Sequence, residues 1–294
     1  MTIKSFRDSI NEAIRLEMRK DENVILMGED VAGGAGTNGE QDAWGGPLGV
    51  TKGLLAEFGR NRIIDTPITE TAMLGMASGA ALTGLRPIAE LMFIDFMGVC
   101  FDQILNQTAK FRYMFGGKAI TPITIRSMYG GGLRAASQHS QCLYPIFTHV
   151  PGLKVVIPSC PYDAKGLMLA AIADNNPVLI FEHRWCMRGK GVVPEGMYKV
   201  PLGKGVYRQK GSDLSIVGTS HALEFAIQAV DELAKSGITA DVIDLRTLKP
   251  LDEEIILESV KKTGKILVVD TGWQMGGVCA EIGCLVAEKG FRYL

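Results

Sequence analysis

The sequence has little of what marks metal-binding, disulfide-bonded, nucleic-acid-binding or membrane proteins. Only four of its 294 residues are histidine, and its six cysteines form no Cys-x-x-Cys pair, so neither type completes a zinc pattern. The net charge of −1 gives no long-range field for nucleic acid or an anionic membrane. The longest apolar region is interrupted by Arg86, Glu90 and Asp95, and the N-terminus has no apolar signal core. We therefore expect a cytoplasmic protein with reduced thiols.

The order of apolar runs and helical patterns predicts an α/β fold of two layered domains. Apolar runs such as Val24–Met27 do not alternate with polar residues, which is typical of a parallel sheet covered on both faces. We expect a first domain over residues 1–190, a linker rich in glycine, proline and charge over 191–205, and a second domain over 206–294 that looks truncated. The predicted helices cover 70–84, 96–114, 161–173, 221–236, 252–262 and 278–289.

The segment Asp65–Glu70, which leads into a helix of small residues, is the most informative stretch of the chain. Pro67 suits a first helical turn, and the small residues that follow allow a flat ligand to approach closely. A glutamate in a first turn complements the helix dipole, which is one explanation for Glu70. The other is that Glu70 shares a proton with a ring nitrogen of a buried aminopyrimidine.

The rest of such a site is missing from the sequence. No Gly-Asp-Gly is followed by Asn-Asn, the pattern that holds magnesium and a diphosphate. Asp174–Asn176 matches half of that pattern and is better explained as a helix-ending turn. Gly34–Gly39 matches Gly-x-Gly-x-x-Gly, but no helical pattern opens after it, so we predict no dinucleotide site. The chain carries half of an active site.

Two further groups are candidates for chemistry. The aromatic residues Phe93 and Phe96 follow a predicted strand and would either stack on a pyrimidine or pack in the core. His139 lies in a glycine-rich, polar loop over Gly130–Gln141. Imidazole side chains can move protons near neutral pH, although a lone loop histidine is often structural.

Taken together, motifs along the whole chain resemble a known family. In chain order they are Gly28–Asp30, Asp65–Glu70, Gly84–Ile88, Gln138–Gln141, Pro151–Val156, Tyr162–Leu167, Asp174–Pro177 and Asp244–Asp252. The sequence resembles the beta subunits of the thiamine-diphosphate-dependent first component of 2-oxo acid dehydrogenase complexes. Within that family, the loop from Gly28 to Gly46 most resembles the acetoin dehydrogenases.

The resemblance implies a transketolase-like pyrimidine-binding domain followed by a transketolase-like C-terminal domain, in an α2β2 heterotetramer. The alpha subunit would bring Mg²⁺ and the diphosphate clamp, and this chain would bring the pyrimidine side of thiamine diphosphate. By motif position Glu70 is the cofactor-activating acid, Phe96 is the stacking aromatic and Met92 lines the same pocket. His139 is the proton-handling residue near the substrate and the incoming lipoyl arm.

The resemblance also implies a structural potassium ion. Backbone carbonyls suit a large monovalent cation. By the resemblance, its ligands are expected to be the backbone carbonyls of Ile123, Ala171, Ile172, Asp174 and Asn176. The resemblance further implies that the C-terminal domain anchors the partner subunits and the core of the complex.

The main hypothesis is an acetoin dehydrogenase beta subunit that cleaves acetoin and transfers the acetyl group to a lipoyl-bearing dihydrolipoamide acetyltransferase. A first alternative keeps the machinery but takes pyruvate or a branched-chain 2-oxo acid. A second is a non-catalytic scaffold for an alpha subunit. A third, a self-sufficient transketolase-like enzyme, would need the missing diphosphate domain.

Overall fold

The computed structural model describes residues 1–32, 45–46, 48–132 and 134–294. The Gly-x-Gly-x-x-Gly match at 34–39 lies outside the described residues, as does most of the loop whose sequence resembles the acetoin dehydrogenases. The fold below concerns the described part of the chain.

The elements alternate between strands and helices, as the sequence predicts. The strands are β1 (Thr2–Ser5), β2 (Val24–Glu29), β3 (Ile63–Thr66), β4 (Arg86–Phe93), β5 (Thr124–Tyr129), β6 (Lys154–Val156), β7 (Val178–His183), β8 (Lys190–Val193), β9 (Val206–Gln209), β10 (Leu214–Gly218), β11 (Ala240–Asp244), β12 (Thr247–Lys249) and β13 (Ile266–Val269). The α-helices are α1 (Phe6–Lys20), α2 (Leu54–Phe58), α3 (Glu70–Leu82), α4 (Phe111–Met114), α5 (Tyr144–His149), α6 (Pro161–Ile172), α7 (Ala222–Ala234), α8 (Glu253–Thr263) and α9 (Val278–Lys289).

A seven-stranded sheet in the order β12-β6-β7-β5-β4-β2-β3 forms the first domain. All of its pairs are parallel except β12–β6, at one edge. Every residue of β5 and β7 is buried, because helices cover both faces of the sheet. The predicted parallel sheet is therefore confirmed.

The second domain is built on a four-stranded sheet in the order β13-β10-β11-β9. Strand β10 pairs in parallel with both neighbours, and β9 closes one edge in the antiparallel direction. Helix α7 buries Ala222, Leu223, Ala226 and Val230, the spacing of one helical face. The two-domain α/β class is confirmed.

Two local predictions differ from the structure. The predicted continuous helix over 96–114 is divided into a 3-10 segment (Ile94–Gly98), a π-helical segment (Gln103–Thr108) and the short helix α4. Gly98 weakens helical propensity at the first break. The predicted linker 191–205 contains most of β8, which pairs with β1 in antiparallel register. The domain boundaries themselves stay a prediction.

The second domain is joined to the first by a strand and by buried charges. Strand β12 belongs to the second domain in sequence but pairs with β6 of the first sheet. Arg208 donates to the carboxylates of Asp163, on α6, and Asp244, at the end of β11; both carboxylates are fully buried. Arg246 donates to Asp163 over 3.2 Å. No helix among the described residues is long and apolar enough to cross a membrane.

Candidate active site

A cleft at the carboxyl edge of the first sheet contains three of the predicted site residues. Glu70, Met92 and Phe96 line it together with Glu29 and Thr66. Strands β3 and β4 lie on either side of β2, so the residues that follow all three strands meet at one edge. The sheet order, and not proximity in sequence, assembles this cleft.

Glu70 is the first residue of α3, immediately after β3 and a short connection. Its side chain is only partly buried, and it faces a cleft wall that also includes Pro67 and Met73. The carboxylate of Asp65, near the end of β3, accepts the backbone N–H of Ala32 over 2.6 Å. This bond ties the segment leading to Glu70 to the residues that follow β2.

Two more carboxylates lie on the same cleft, and sequence reasoning did not assign them. Burial raises the pKa of Glu29, and the charges of Asp30 and Glu70 raise it further. Glu90 is 3% exposed, and burial raises its pKa against the opposing effect of Arg126. In the sequence, Glu90 could have been recognised as a charged residue inside the apolar strand β4. Glu29 could have been recognised from its place in the Gly28-Glu29-Asp30 motif.

Glu90 takes part in a fully buried ionic cluster. Arg126 donates to Glu90 and also to both oxygens of Glu182, at 2.9 and 2.6 Å. The second oxygen of Glu90, Oε1, is buried and has no hydrogen-bond partner in the described part of the chain. A buried acceptor without a partner beside a cleft is suited to a polar ligand group or to water.

His139 lies beside the cleft and in contact with its aromatic wall. It ends the 3-10 segment Ser137–His139, and its ring is half-buried. The ring meets Phe96 edge-to-face at 5.3 Å between centroids and Phe93 at 4.9 Å. The structure thus brings His139 next to Phe96, which lines the cleft with Glu70.

Four of the five carbonyls predicted for potassium already accept hydrogen bonds from donors of this chain. Those of Ile172 and Asp174 accept hydrogen bonds from Nη1 of Arg86 at 3.0 and 3.1 Å. The carbonyl of Ile123 accepts the N–H of Val178, and that of Ala171 accepts the N–H of Asp174. Because a guanidinium cation already contacts two of the five carbonyls, this arrangement does not favour a further cation. The potassium site, with its fifth carbonyl at Asn176, stays a prediction.

A second polar cluster lies between the domains and was not predicted. His183, Cys186 and His221 offer ligand atoms within 4.8 Å of one another. The two imidazole rings are stacked with an interplanar angle of 23°, and Nδ1 of His183 accepts the N–H of Trp185 over 3.2 Å. Stacked rings do not direct their lone pairs at one ion, so this geometry does not form a metal site.

Comparison with known families and structures matches both domains. The family model described as "Transketolase, pyrimidine binding domain" matches residues 4–189, and "Transketolase, C-terminal domain" matches 203–294. A solved structure described as "Split gene transketolase, inactive beta4 tetramer" is similar in fold, with a TM-score of 0.77 at 22% identity. The similarity covers 97% of this chain and 85% of that chain.

Curated relatives are more similar still. Two of them are beta subunits of acetoin:2,6-dichlorophenolindophenol oxidoreductase, from Bacillus subtilis (strain 168) and Cupriavidus necator. Each is 56% identical to this chain over 99% of its length, and the match covers 85% and 86% of the two relatives, respectively. The 2-oxoisovalerate dehydrogenase beta subunit of Bacillus subtilis is 43% identical over 98% of the chain and 85% of its own length.

The fold and both family models define a two-domain protein of the transketolase type. Within that class, the chain belongs to the family of beta subunits of acetoin and 2-oxo acid dehydrogenases. The resemblance inferred from the sequence motifs is confirmed.

Proposed function

We propose that this chain is the beta subunit of a thiamine-diphosphate-dependent acetoin dehydrogenase. The observation that carries the proposal is the cleft in which Glu70, Met92 and Phe96 meet beside His139. The chain also shares 56% of its residues with two acetoin:2,6-dichlorophenolindophenol oxidoreductase beta subunits. The product acetyl group would pass to a lipoyl group of a dihydrolipoamide acetyltransferase.

The cleft residues suit the aminopyrimidine end of the cofactor. Glu70 would hold a proton at a ring nitrogen, while Phe96 and Met92 would pack against the ring faces. The unpartnered oxygen of Glu90 is consistent with a polar group entering from the cleft. When bound, thiamine diphosphate supplies the carbanion stabilisation needed to break a carbon–carbon bond next to a carbonyl.

His139 is placed to handle the substrate proton. Its ring rests against Phe96, so it borders the cleft that Phe96 lines together with Glu70. It would accept the hydroxyl proton of acetoin as acetaldehyde leaves. In the reverse reaction it would return that proton to the same oxygen. Its neighbours Phe93 and Phe96 limit the orientations that the ring can adopt.

The other half of the site would come from an alpha subunit. The sequence lacks the Gly-Asp-Gly and Asn-Asn pattern for magnesium and diphosphate, so the partner would hold both. Two alpha and two beta chains would give two such shared sites.

The second candidate substrate is a 2-oxo acid. The 43% identity to a 2-oxoisovalerate dehydrogenase beta subunit supports it, although at lower similarity. The cleft residues serve either substrate, because both contain a carbonyl carbon next to the bond that breaks.

The test compares substrates of the reconstituted αβ enzyme. Turnover of each substrate is measured as the rate at which 2,6-dichlorophenolindophenol is reduced. We expect kcat/KM for acetoin to exceed the values for pyruvate and 2-oxoisovalerate by about tenfold or more. The beta chain alone should neither bind thiamine diphosphate tightly nor turn over. A tenfold advantage for pyruvate, on the order of 1.4 kcal/mol, would overturn the acetoin assignment.

A further inference from the structure

We propose that Arg184 is a positioning residue that holds His139 in the orientation needed for proton transfer. The inference rests on the proposed function, since it assumes that His139 handles the substrate proton. Arg184 itself touches neither the cleft nor Glu70 in the described structure; it would act through the loop that carries His139.

The first observation is a double contact between Arg184 and the His139 region. Arg184 directly follows β7 and is 3% exposed. Its Nη2 donates to the backbone carbonyl of His139. The guanidinium carbon also lies 5.1 Å from the centre of the Phe93 ring, and that ring meets the imidazole at 4.9 Å. One side chain therefore restrains both the backbone of His139 and the ring against which its imidazole rests.

A second support acts on the other side of His139. The carboxylate of Asp95 accepts the backbone N–H of Gln141 over 3.3 Å and its side-chain N–H over 2.8 Å. The loop is thus bound at the carbonyl of residue 139 and at the N–H of residue 141. These two groups belong to the planar peptide units on either side of Ser140, so the chain is held in place immediately after His139.

Arg184 is also incompletely satisfied by the folded chain. Its Nε and Nη1 atoms are buried and have no hydrogen-bond partner in the described residues. Burying a cation with unused donors is unfavourable, so stability alone is a poor reason for an arginine at this position. A role in placing His139 accounts for both the buried charge and the single bond to the loop.

The consequence is a specific kinetic effect. A catalytic group displaced by about 1 Å can lose on the order of 100-fold in rate, while substrate binding through other groups is retained. Loss of Arg184 should therefore lower kcat and leave KM for acetoin and the affinity for thiamine diphosphate nearly unchanged.

The experiment uses the αβ holoenzyme with Arg184→Met, Arg184→Lys and the control Arg188→Met. Arg188 is a nearby, exposed arginine that lies over Trp185 and makes no hydrogen bond to His139 in the described part of the chain. We expect kcat to fall about 10- to 100-fold in Arg184→Met, with KM changed less than about twofold. Lysine keeps one donor and should restore part of kcat, and Arg188→Met should match the unmodified enzyme.

Two further measurements separate positioning from simple loss of stability. Millimolar guanidinium added to Arg184→Ala should raise kcat, whereas equal sodium chloride should not. The pH dependence of kcat should change in Arg184→Met and stay unchanged in Arg188→Met, because only the former alters the surroundings of His139. If guanidinium gives no rescue and the pH profile is unaltered, the positioning role is overturned.

A parallel His139→Ala variant distinguishes the two levels of the proposal. If His139→Ala turns over normally, the proton-handling role in the proposed function fails, and the role of Arg184 fails with it. If His139→Ala is inactive but Arg184→Met equals Arg188→Met in kcat, only the positioning role is overturned.

Discussion

At the scale of single residues, Glu70 and His183 have opposite environments. Glu70 is partly buried at the start of a helix and opens onto a cleft. His183 is 2% exposed at the end of β7, between Tyr129 and His221. The first position leaves a carboxyl group available to a ligand, and the second keeps an imidazole out of water.

Replacing Glu70 tests whether the cleft is catalytic. Glu70→Gln keeps the shape but cannot donate or accept a proton as a carboxyl group does, so we expect turnover of the αβ enzyme to fall ~10²- to 10⁴-fold. Assembly, measured by size-exclusion chromatography, should persist. Glu281→Gln is the control, because Glu281 is also a first-turn glutamate but is exposed on α9. Normal turnover of Glu70→Gln would favour a scaffold instead.

Acid should destabilise the protein through His183. Burial lowers the pKa of His183 to about 3 from its ordinary 6.5, and the charges of His221 and Arg184 contribute in the same direction. As the pH falls, the imidazole of His183 therefore takes up a proton in the unfolded chain before it does so in the folded protein. The free energy of unfolding consequently decreases as the pH falls from 6.5 towards 3. The slope from one such group approaches about 1.4 kcal/mol per pH unit.

The measurement is the free energy of unfolding at several pH values for His183→Gln and for the exposed control His149→Gln. His183→Gln should flatten the acid slope, and His149→Gln should leave it in place. Equal slopes in His183→Gln and the unmodified chain would show that other groups dominate acid unfolding.

At the scale of elements, the connection after β5 depends on close packing at glycine. Gly130 has φ +90°, and a Cβ there would lie 2.4 Å from Nε2 of His183. Its N–H also bonds the carbonyl of Gln141, next to the His139 segment. The loop that carries His139 is thus packed directly onto β7.

Gly130→Ala should therefore lower the free energy of unfolding by more than backbone strain alone would. The control is Gly237→Ala, where φ is +74° but no atom lies within 4 Å of the added Cβ. We expect Gly237→Ala to lower the free energy of unfolding by about 1–2 kcal/mol, and Gly130→Ala by a further 1–3 kcal/mol from overpacking. Denaturant unfolding of both variants measures the difference, and equal losses would contradict the packing argument.

Elements with strong local signals were predictable, and those defined by distant partners were not. Strands β2 and β7 each begin with a short apolar run, and α7 shows a clear helical spacing. Strand β8 has no such pattern. It is stabilised by pairing with β1, which lies at the other end of the first domain in the sequence. The first break in the predicted helix 96–114 falls at Gly98, whose low helical propensity is a local signal.

At the scale of the whole molecule, buried ion pairs join the domains. Arg208, on β9, bridges Asp163 of the first domain and Asp244 of the second. Both carboxylates have no exposed surface, so neither can recover its interactions with water if the arginine is removed. The network fixes the second domain against α6.

Removing that cation should be strongly destabilising. Arg208→Met leaves two buried carboxylates without their shared partner, and we expect a loss of about 3–5 kcal/mol in the free energy of unfolding. Lys235→Met, which breaks an exposed pair with Glu232, should change it by less than about 1 kcal/mol. Chemical unfolding followed by tryptophan fluorescence compares the two, and similar losses would contradict a stabilising role for the network.

The sequence by itself determined the α/β class, the family and the candidate residues Glu70, Met92, Phe96 and His139, because apolar runs and short motifs are local properties. The tertiary structure alone decided that Glu29 and Glu90 share the cleft with Glu70. It also decided that Arg184 binds the carbonyl of His139, 45 residues away. A parallel sheet brings together the ends of strands that are distant in the chain, so such contacts follow from strand order and not from any nearby sequence pattern.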